Sequence, residues 1–392
     1  MTAARPGVTG ISAPFPRVLL MGDTLNIGGT EGQFVDMARG LNAGPWDVRV
    51  SCVRAEGPLR AALEAAGVRA WSCGPGSFRS PRLAAAVFNV ARYMRAQKIR
   101  LVHSFDFYSN LLAIPAARLA GVPVVIASQR DLGELRSPLE QRLHRRVLRL
   151  AHCVLVNAEA VADRLRLQRA VTADRLVVVP NGVDLSRFSP ARESAMSAGR
   201  PVTIGTLGNL RPEKGLGHLL QAAVFVRQSC PRTRFVIWGE GPLRPDLEKK
   251  IRQLSLGGFV ELRGSTAAPE VALRELDIFV LPSLSEACSN ALLQAMASGL
   301  AVVATRVGGT PAVVTDEETG LLVAPGHPAG LARAIIRLVE EPALADRLRT
   351  AARAAARTRF GSDRMLERIE ALYRRLLGMG SGPARPEETR VA

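Results

Sequence analysis

Arg17-Val-Leu-Leu-Met21 runs through a short polar turn into Asn26-Ile-Gly-Gly-Thr-Glu-Gly32 and then a helical pattern. Near the middle of the chain Val202-Thr-Ile-Gly-Thr-Leu207 runs in the same way into Gly208-Asn-Leu-Arg-Pro-Glu-Lys-Gly215 and another helical pattern. Each stretch reads as a buried strand that ends in a glycine-bearing loop and opens a helix, the first unit of a parallel α/β sheet. Outward from the first, short β-branched runs recur at 48–53, 101–103, 122–126 and 153–156, separated by longer helical patterns. Outward from the second they recur at 235–238, 259–262, 278–281 and 301–304. The repeated alternation predicts an α/β chain of two Rossmann-like parallel-sheet domains, with ligands gathered where the strands' carboxyl ends face a common cleft.

Between the two series, residues 188–201 (F-S-P-A-R-E-S-A-M-S-A-G-R-P) lose apolar periodicity and gain Ser, Pro and Gly. The expected organisation is a disordered tail at 1–16, a first domain at 17–188, a linker at 189–201, a second domain at 202–362, a last helix at 363–377 and a disordered tail at 378–392.

Composition narrows the function. A net charge of +17 calls for an anionic partner. The excess is spread along the chain with little aromatic interleaving and no zinc-finger spacing, which argues against nucleic acid and leaves phosphorylated small molecules or an anionic membrane surface. Five scattered cysteines form no C-x-x-C pair, as expected of a chain in the reducing cytosol. Residues 1–16 lack an apolar signal core, and no apolar run is long enough to span a bilayer. The expected address is therefore cytoplasmic, with any contact at the inner face of the cell membrane peripheral. One segment suits such contact: 138–150 reads as a helix with Leu139, Leu143, Val147 and Leu150 on one face and Arg142, Arg145, Arg146 and Arg149 elsewhere. The same pattern also describes a helix whose apolar stripe packs on its own sheet.

Several residues address the cleft. Gly28 and Gly29 sit in a strand-to-helix loop that can cradle a phosphate or simply turn. Arg211 and Lys214 occupy the equivalent loop of the second domain, where a planar fork and a point charge together suit a diphosphate. The strand at 278–281 leads through Glu286 to Ser289, which reads as the N-cap of a helix that Gly299 stops. That helix N-terminus favours a nearby anion by about 0.3–1 kcal/mol. His103 ends a strand and is a candidate catalytic or structural histidine. No Asp-x-Asp pair and no His/Cys/carboxylate set has metal-ligand spacing, so neither metal nor other cofactor is expected.

In this order, G-G-T-E at 28–31, Val179-Pro-Asn-Gly-Val-Asp184, R-P-E-K-G at 211–215, W-G-E-G-P at 238–242, the Glu286 helix, G-G-T-P at 308–311 and T-G-L-L-V at 319–323 form a specific series. From about residue 17 to about 377 the chain resembles the retaining glycosyltransferases of family 4, which have the GT-B fold. The resemblance implies a nucleotide diphosphate sugar as donor, held by Gly29, Arg211, Lys214, Glu286, Ser289, Asn290 and Gln294, with Glu286 and His103 as catalytic candidates. It also implies a last helix that crosses back onto the first domain. Relatives usually carry Glu where Gln294 stands, eight residues after Glu286, and many carry H-x-H where this chain has His103-Ser-Phe105. The implied reaction is metal-independent transfer of a sugar, with retention, to an acceptor hydroxyl, in cell-surface polysaccharide or glycolipid synthesis. A non-catalytic nucleotide-sugar or glycan-binding subunit and a sugar-nucleotide epimerase of the same fold stay open as alternatives.

Overall fold

The computed structural model describes residues 15–78, 81–134, 136–190 and 201–379. Residues 1–14, 191–200 and 380–392 are not among them, so most of the expected disordered tails and exposed linker lies outside the described residues; at the described edges of the tails, Phe15 and Met379 pack against the first domain's core instead of being disordered.

The first sheet contains β1 (Arg17–Gly22), β2 (Asp47–Cys52), β3 (Ala70–Ser72), β4 (Leu101–Ser104), β5 (Val124–Gln129), β6 (Cys153–Val156) and β7 (Leu176–Val178), in the order β3-β2-β1-β4-β5-β6-β7. The second contains β8 (Val202–Leu207), β9 (Thr233–Trp238), β10 (Val260–Arg263), β11 (Ile278–Leu281), β12 (Ala301–Thr305) and β13 (Leu321–Val323), in the order β10-β9-β8-β11-β12-β13. Every neighbouring pair is parallel. The α/β class with two parallel-sheet domains is therefore the one read from the sequence. β3, β7 and β13 escaped that reading: each is a three-residue edge strand, too short to display a period.

Both sheets are buried on both faces, and strand alternation sorts the side chains between them. In β1, Leu19 and Met21 point to the layer of helices Arg82–Ala96, Phe107–Ala120, Pro138–Leu148 and Glu159–Leu167. Val18 and Leu20 point instead to helices Gly29–Ala43 and Arg60–Ala65, joined on that face by Met365, Leu366, Ile369, Leu372 and Tyr373 of the helix Ser362–Leu376. The chain thus finishes the first domain with a helix translated after the whole second domain. It returns there beside its outward crossing: Val183 N–H donates to the Phe360 carbonyl at 2.8 Å, and Ser362 N–H donates to the Val183 carbonyl at 2.9 Å.

In each sheet the order reverses at one point, between β1 and β4 in the first and between β8 and β11 in the second. The loops that leave these four strands cannot be covered by crossover helices, so they line the groove where an open sheet takes its ligand. The two grooves face one another and enclose a cavity of about 540 Å³.

Candidate functional site

On the second domain, a single 3₁₀ turn at Pro212–Lys214 follows β8 and hands the chain to the helix Leu216–Ser229. Gly215 makes that handover in the left-handed region (φ +62°), where a Cβ would lie 2.1 Å from the Pro282 carbonyl oxygen. The loop is thereby pressed onto the one that follows β11, and the Glu213 carbonyl accepts the Leu284 N–H at 2.7 Å. This apposition brings Lys214 to Glu286: Nζ stands 2.7 Å from Oε2, which also accepts from Ser283 Oγ at 3.1 Å. Both side chains are mostly buried, so the pair is better shielded than a surface bridge. Gly308 and Gly309 lie directly behind Glu286. Gly309 N–H donates to the Glu286 carbonyl at 3.1 Å, and Gly308 has φ +48° with that same oxygen 1.8 Å from where its Cβ would be.

Ser289 caps the helix Asn290–Ala297 by accepting the Leu292 N–H at 3.3 Å. Its first-turn N–H groups, at Asn290 and Ala291, have no partner within the helix and border the cleft. Arg211 is an exposed member of the same wall, and Gln294 lies one turn further along the helix. From the first domain, Gly29 completes the set: its carbonyl accepts from Asn290 Nδ2 at 2.6 Å. Gly29, Arg211, Lys214, Glu286, Ser289, Asn290 and Gln294, all singled out in the sequence, therefore line one cavity. The anion found at the N-terminus of helix Gly29–Ala43 is the chain's own Glu31, whose carboxylate folds back over Gly28. Burial pushes that carboxyl's pKa up, with Asp23 adding to the effect.

His103 requires correction. Strand position suggested a cleft address, yet the residue is fully buried and takes no part in the cavity wall. It pairs in register with Leu20 and Ile126, on the face covered by the helix Ser362–Leu376. Nδ1 lies 2.7 Å from Tyr373 Oη and Nε2 2.7 Å from Ser128 Oγ, so both ring nitrogens are engaged. Burial, helped by the Arg130 charge, pulls its pKa down to about 3. His103 is a neutral structural residue that ties the last helix to the first sheet.

Sequence reasoning missed the polar relay across the cleft floor. Arg130, just beyond β5, donates to Asn181 Oδ1 at 2.9 Å; Asn181 Nδ2 donates to the Cys288 carbonyl at 2.9 Å and to Asn290 Oδ1 at 2.7 Å. Gln33 fixes the same segment through Gly182, donating to its carbonyl at 2.7 Å and accepting its N–H at 2.9 Å. The quoted V-P-N-G-V-D motif contained Asn181, but nothing in its spacing named its partners. Further contacts that cross between the domains include Ser285 Oγ with Glu134 and Arg187 with Glu270 at 2.7 Å. Asp106, also in the wall, is raised well above the usual carboxylate range by burial and by neighbouring Asp131 and Asp23.

The helix Pro138–Leu148 buries His144, Val147 and Leu148, whereas Leu139, Leu143 and Leu150 are exposed, Leu139 by 75%. Only part of its apolar set packs on the domain. No described helix is long and apolar enough to cross a membrane.

Residues 27–187 match the family described as Glycosyltransferase Family 4, and residues 201–341 match Glycosyl transferases group 1. The D-inositol 3-phosphate glycosyltransferase of Actinosynnema mirum is 30% identical over 300 residues, covering 70% of this chain and 72% of that protein. That of Pseudarthrobacter chlorophenolicus is 31% identical over 264 residues, covering 62% of this chain and 63%, less than two thirds, of the relative's length. Among solved structures, Anabaena HepE in complex with UDP-glucose superposes with a TM-score of 0.80 at 21% identity, over 91% of this chain and 99% of that one. With two facing parallel-sheet domains of the GT-B fold and this sequence likeness along both, the chain belongs to glycosyltransferase family 4, among the group 1 glycosyl transferases.

Proposed function

We propose that this chain transfers a glycosyl group from a nucleoside diphosphate sugar, bound on the second domain, to an acceptor hydroxyl presented by the first, with retention of configuration and without a metal ion. The observation that carries the reading is the convergence of Arg211, the Lys214–Glu286 pair and the N-terminus of helix Asn290–Ala297 on one cavity wall opposite Gly29. Two cations and a helix dipole supply what a departing diphosphate needs, stabilisation of charge that develops on its oxygens. Among the described residues, no three His, Cys, Asp or Glu side chains gather as metal ligands. The likeness to a protein crystallised with UDP-glucose favours uracil as the base and glucose as the first sugar to test.

In the transfer, the bond between the sugar's anomeric carbon and the phosphate oxygen breaks. The acceptor oxygen bonds to that carbon on the same face, and the acceptor's proton passes to the leaving phosphate. No protein nucleophile is needed, so the chain's work is positioning and charge stabilisation. Asn181, which donates to the Cys288 carbonyl and to Asn290 Oδ1, joins the two domains around the reacting atoms. Exposed Leu139, Leu143 and Leu150 beside Arg142, Arg146 and Arg149 suit an anionic bilayer surface. A lipid-linked or surface-glycan acceptor, met by a cytoplasmic enzyme at the inner face of the membrane, follows from that face.

Calorimetry with a panel of nucleoside diphosphates and nucleotide sugars, EDTA present, tests the reading on wild type and on an Arg211→Ala, Lys214→Ala double variant. One base class binds the wild type and not the variant. Absence of binding across the panel overturns the proposal and leaves a non-catalytic role.

A further inference from the structure

Arg130 is a charged side chain that the donor site does not use. It is 8% exposed and borders the cavity from the first domain's side. Its guanidinium lies over the Phe105 ring, 4.7 Å from the centroid, and its one side-chain hydrogen bond runs to the amide oxygen of Asn181. The carboxylates on this edge, Asp106 and Asp131, are bound by a different cation, Arg136, at 3.1 and 2.8 Å. Among the described residues, Arg130 thus has no carboxylate at ion-pairing distance. A guanidinium carries five N–H donors, and burying one without a counter-charge is unfavourable unless a ligand completes it. Burial brings this group's pKa down to about 10.

A second observation points to the same spot. Asn157, 3% exposed and also in the cavity wall, donates through Nδ2 to the Arg130 carbonyl at 3.3 Å. Its Oδ1 is buried and has no hydrogen-bond partner among the described residues. Buried side-chain oxygens are nearly always satisfied, so an orphan on a residue of the cavity wall marks a missing donor. On the proposed function the diphosphate of a donor is met by Arg211, Lys214 and a helix N-terminus, all supplied by the second domain.

We propose that Arg130 and Asn157 form an acceptor subsite for an oxyanion with an adjacent hydroxyl, so that the acceptor is a phosphorylated sugar, polyol or lipid headgroup rather than a neutral glycan. This rests on the transferase reading of the cleft and names its acceptor class. Arg130 binds the phosphate, and Asn157 Oδ1 accepts from a neighbouring hydroxyl.

The test titrates inorganic phosphate into the full chain, with and without saturating UDP, for wild type, Arg130→Gln, Arg130→Lys and Arg211→Ala. Phosphate binds the UDP-loaded wild type. Arg130→Gln weakens that binding about tenfold or more, as loss of a charge-assisted bond does, while UDP affinity stays within about threefold. Arg130→Lys, which keeps the charge and guards against misfolding of the Gln variant, retains part of the phosphate affinity. Arg211→Ala weakens UDP and leaves phosphate unchanged. Equal phosphate binding by wild type and Arg130→Gln overturns the proposal, as does a wild type that binds none. A matching loss of UDP affinity in Arg130→Gln overturns it too, because the guanidinium then serves the donor's own phosphate. Should UDP fail to bind the wild type, the donor reading falls, and the phosphate titration without UDP still decides for or against Arg130. Glycerol 3-phosphate and vesicles containing phosphatidic acid, run in parallel, tell a soluble acceptor from a lipid one.

Discussion

Glu286 keeps its place because Gly308 behind it carries no side chain, and Gly308→Ala fills that space. A Cβ at Gly308 would lie 1.8 Å from the Glu286 carbonyl oxygen, and real Cβ contacts do not fall below 3.0 Å, so the two segments must part by about 1.2 Å. The backbone at φ +48° resists any compensating rotation, since an L-residue in the left-handed region costs roughly 1–2 kcal/mol. The displaced carbonyl also loses the Gly309 N–H, worth about 0.5–1.5 kcal/mol. Downstream, the carboxylate no longer meets Lys214 Nζ at 2.7 Å, and both groups leave the positions that the proposed donor site requires. A misplacement of about 1 Å lowers turnover on the order of a hundredfold. The assay is release of nucleoside diphosphate from the donor that calorimetry identifies, at saturating donor, alongside thermal unfolding. A folded Gly308→Ala protein whose turnover stays within threefold of wild type refutes the claim that this glycine positions Glu286.

Three further outcomes are expected. Gln294→Glu should tighten nucleoside diphosphate binding about fivefold, because a bond to a charged acceptor exceeds a neutral one by about 1 kcal/mol; calorimetric affinity that is unchanged or weaker removes Gln294 from the donor contacts. His103 and His144, both drawn down to about 3 by burial, stay neutral in the fold but protonate below about 6.5 when unfolded. Their stabilisation is whole above pH 6.5 and is lost as pH falls toward 3, by up to about 1.4 kcal/mol per pH unit for each; urea midpoints at pH 7.5 and 5 should differ less in His103→Gln, and an equal dependence contradicts the assignment. Leu139→Glu with Leu143→Glu should abolish sedimentation with anionic vesicles while leaving nucleoside diphosphate affinity intact, and full retention on vesicles rules this helix out as the contact.

The fold was legible because each central strand is long enough to show a β-branched run and each is followed by a loop whose glycines permit a sharp turn into a helix. The second-domain wall was legible for a related reason: Arg211, Lys214 and Glu286 lie within a few residues of strand ends, so local sequence dictates which edge they occupy. His103 shows where this logic stops. Ending a strand fixes the edge, but in a sheet covered on both faces the alternation decides whether a side chain points to a helix layer, and register with Leu20 and Ile126 sends this one beneath the helix Ser362–Leu376. Arg130, Asn157 and Asn181 could not be read because their meaning comes from partners brought by other segments, in the case of Asn181 from Cys288 and Asn290 of the other domain.

The return of the helix Ser362–Leu376 to the first sheet also sets an order of events at the ribosome. While the second half is still being synthesised, the first domain exposes the apolar bed that Met365, Leu366, Ile369, Leu372 and Tyr373 will later cover, and the His103 ring waits for the Tyr373 hydroxyl. The nascent first domain must therefore persist unfinished, dependent on chaperones or on speed, until the entire second domain has emerged. A gene split in the linker would not give two independent folding units, for the first would be missing a wall that only the distal fragment encodes.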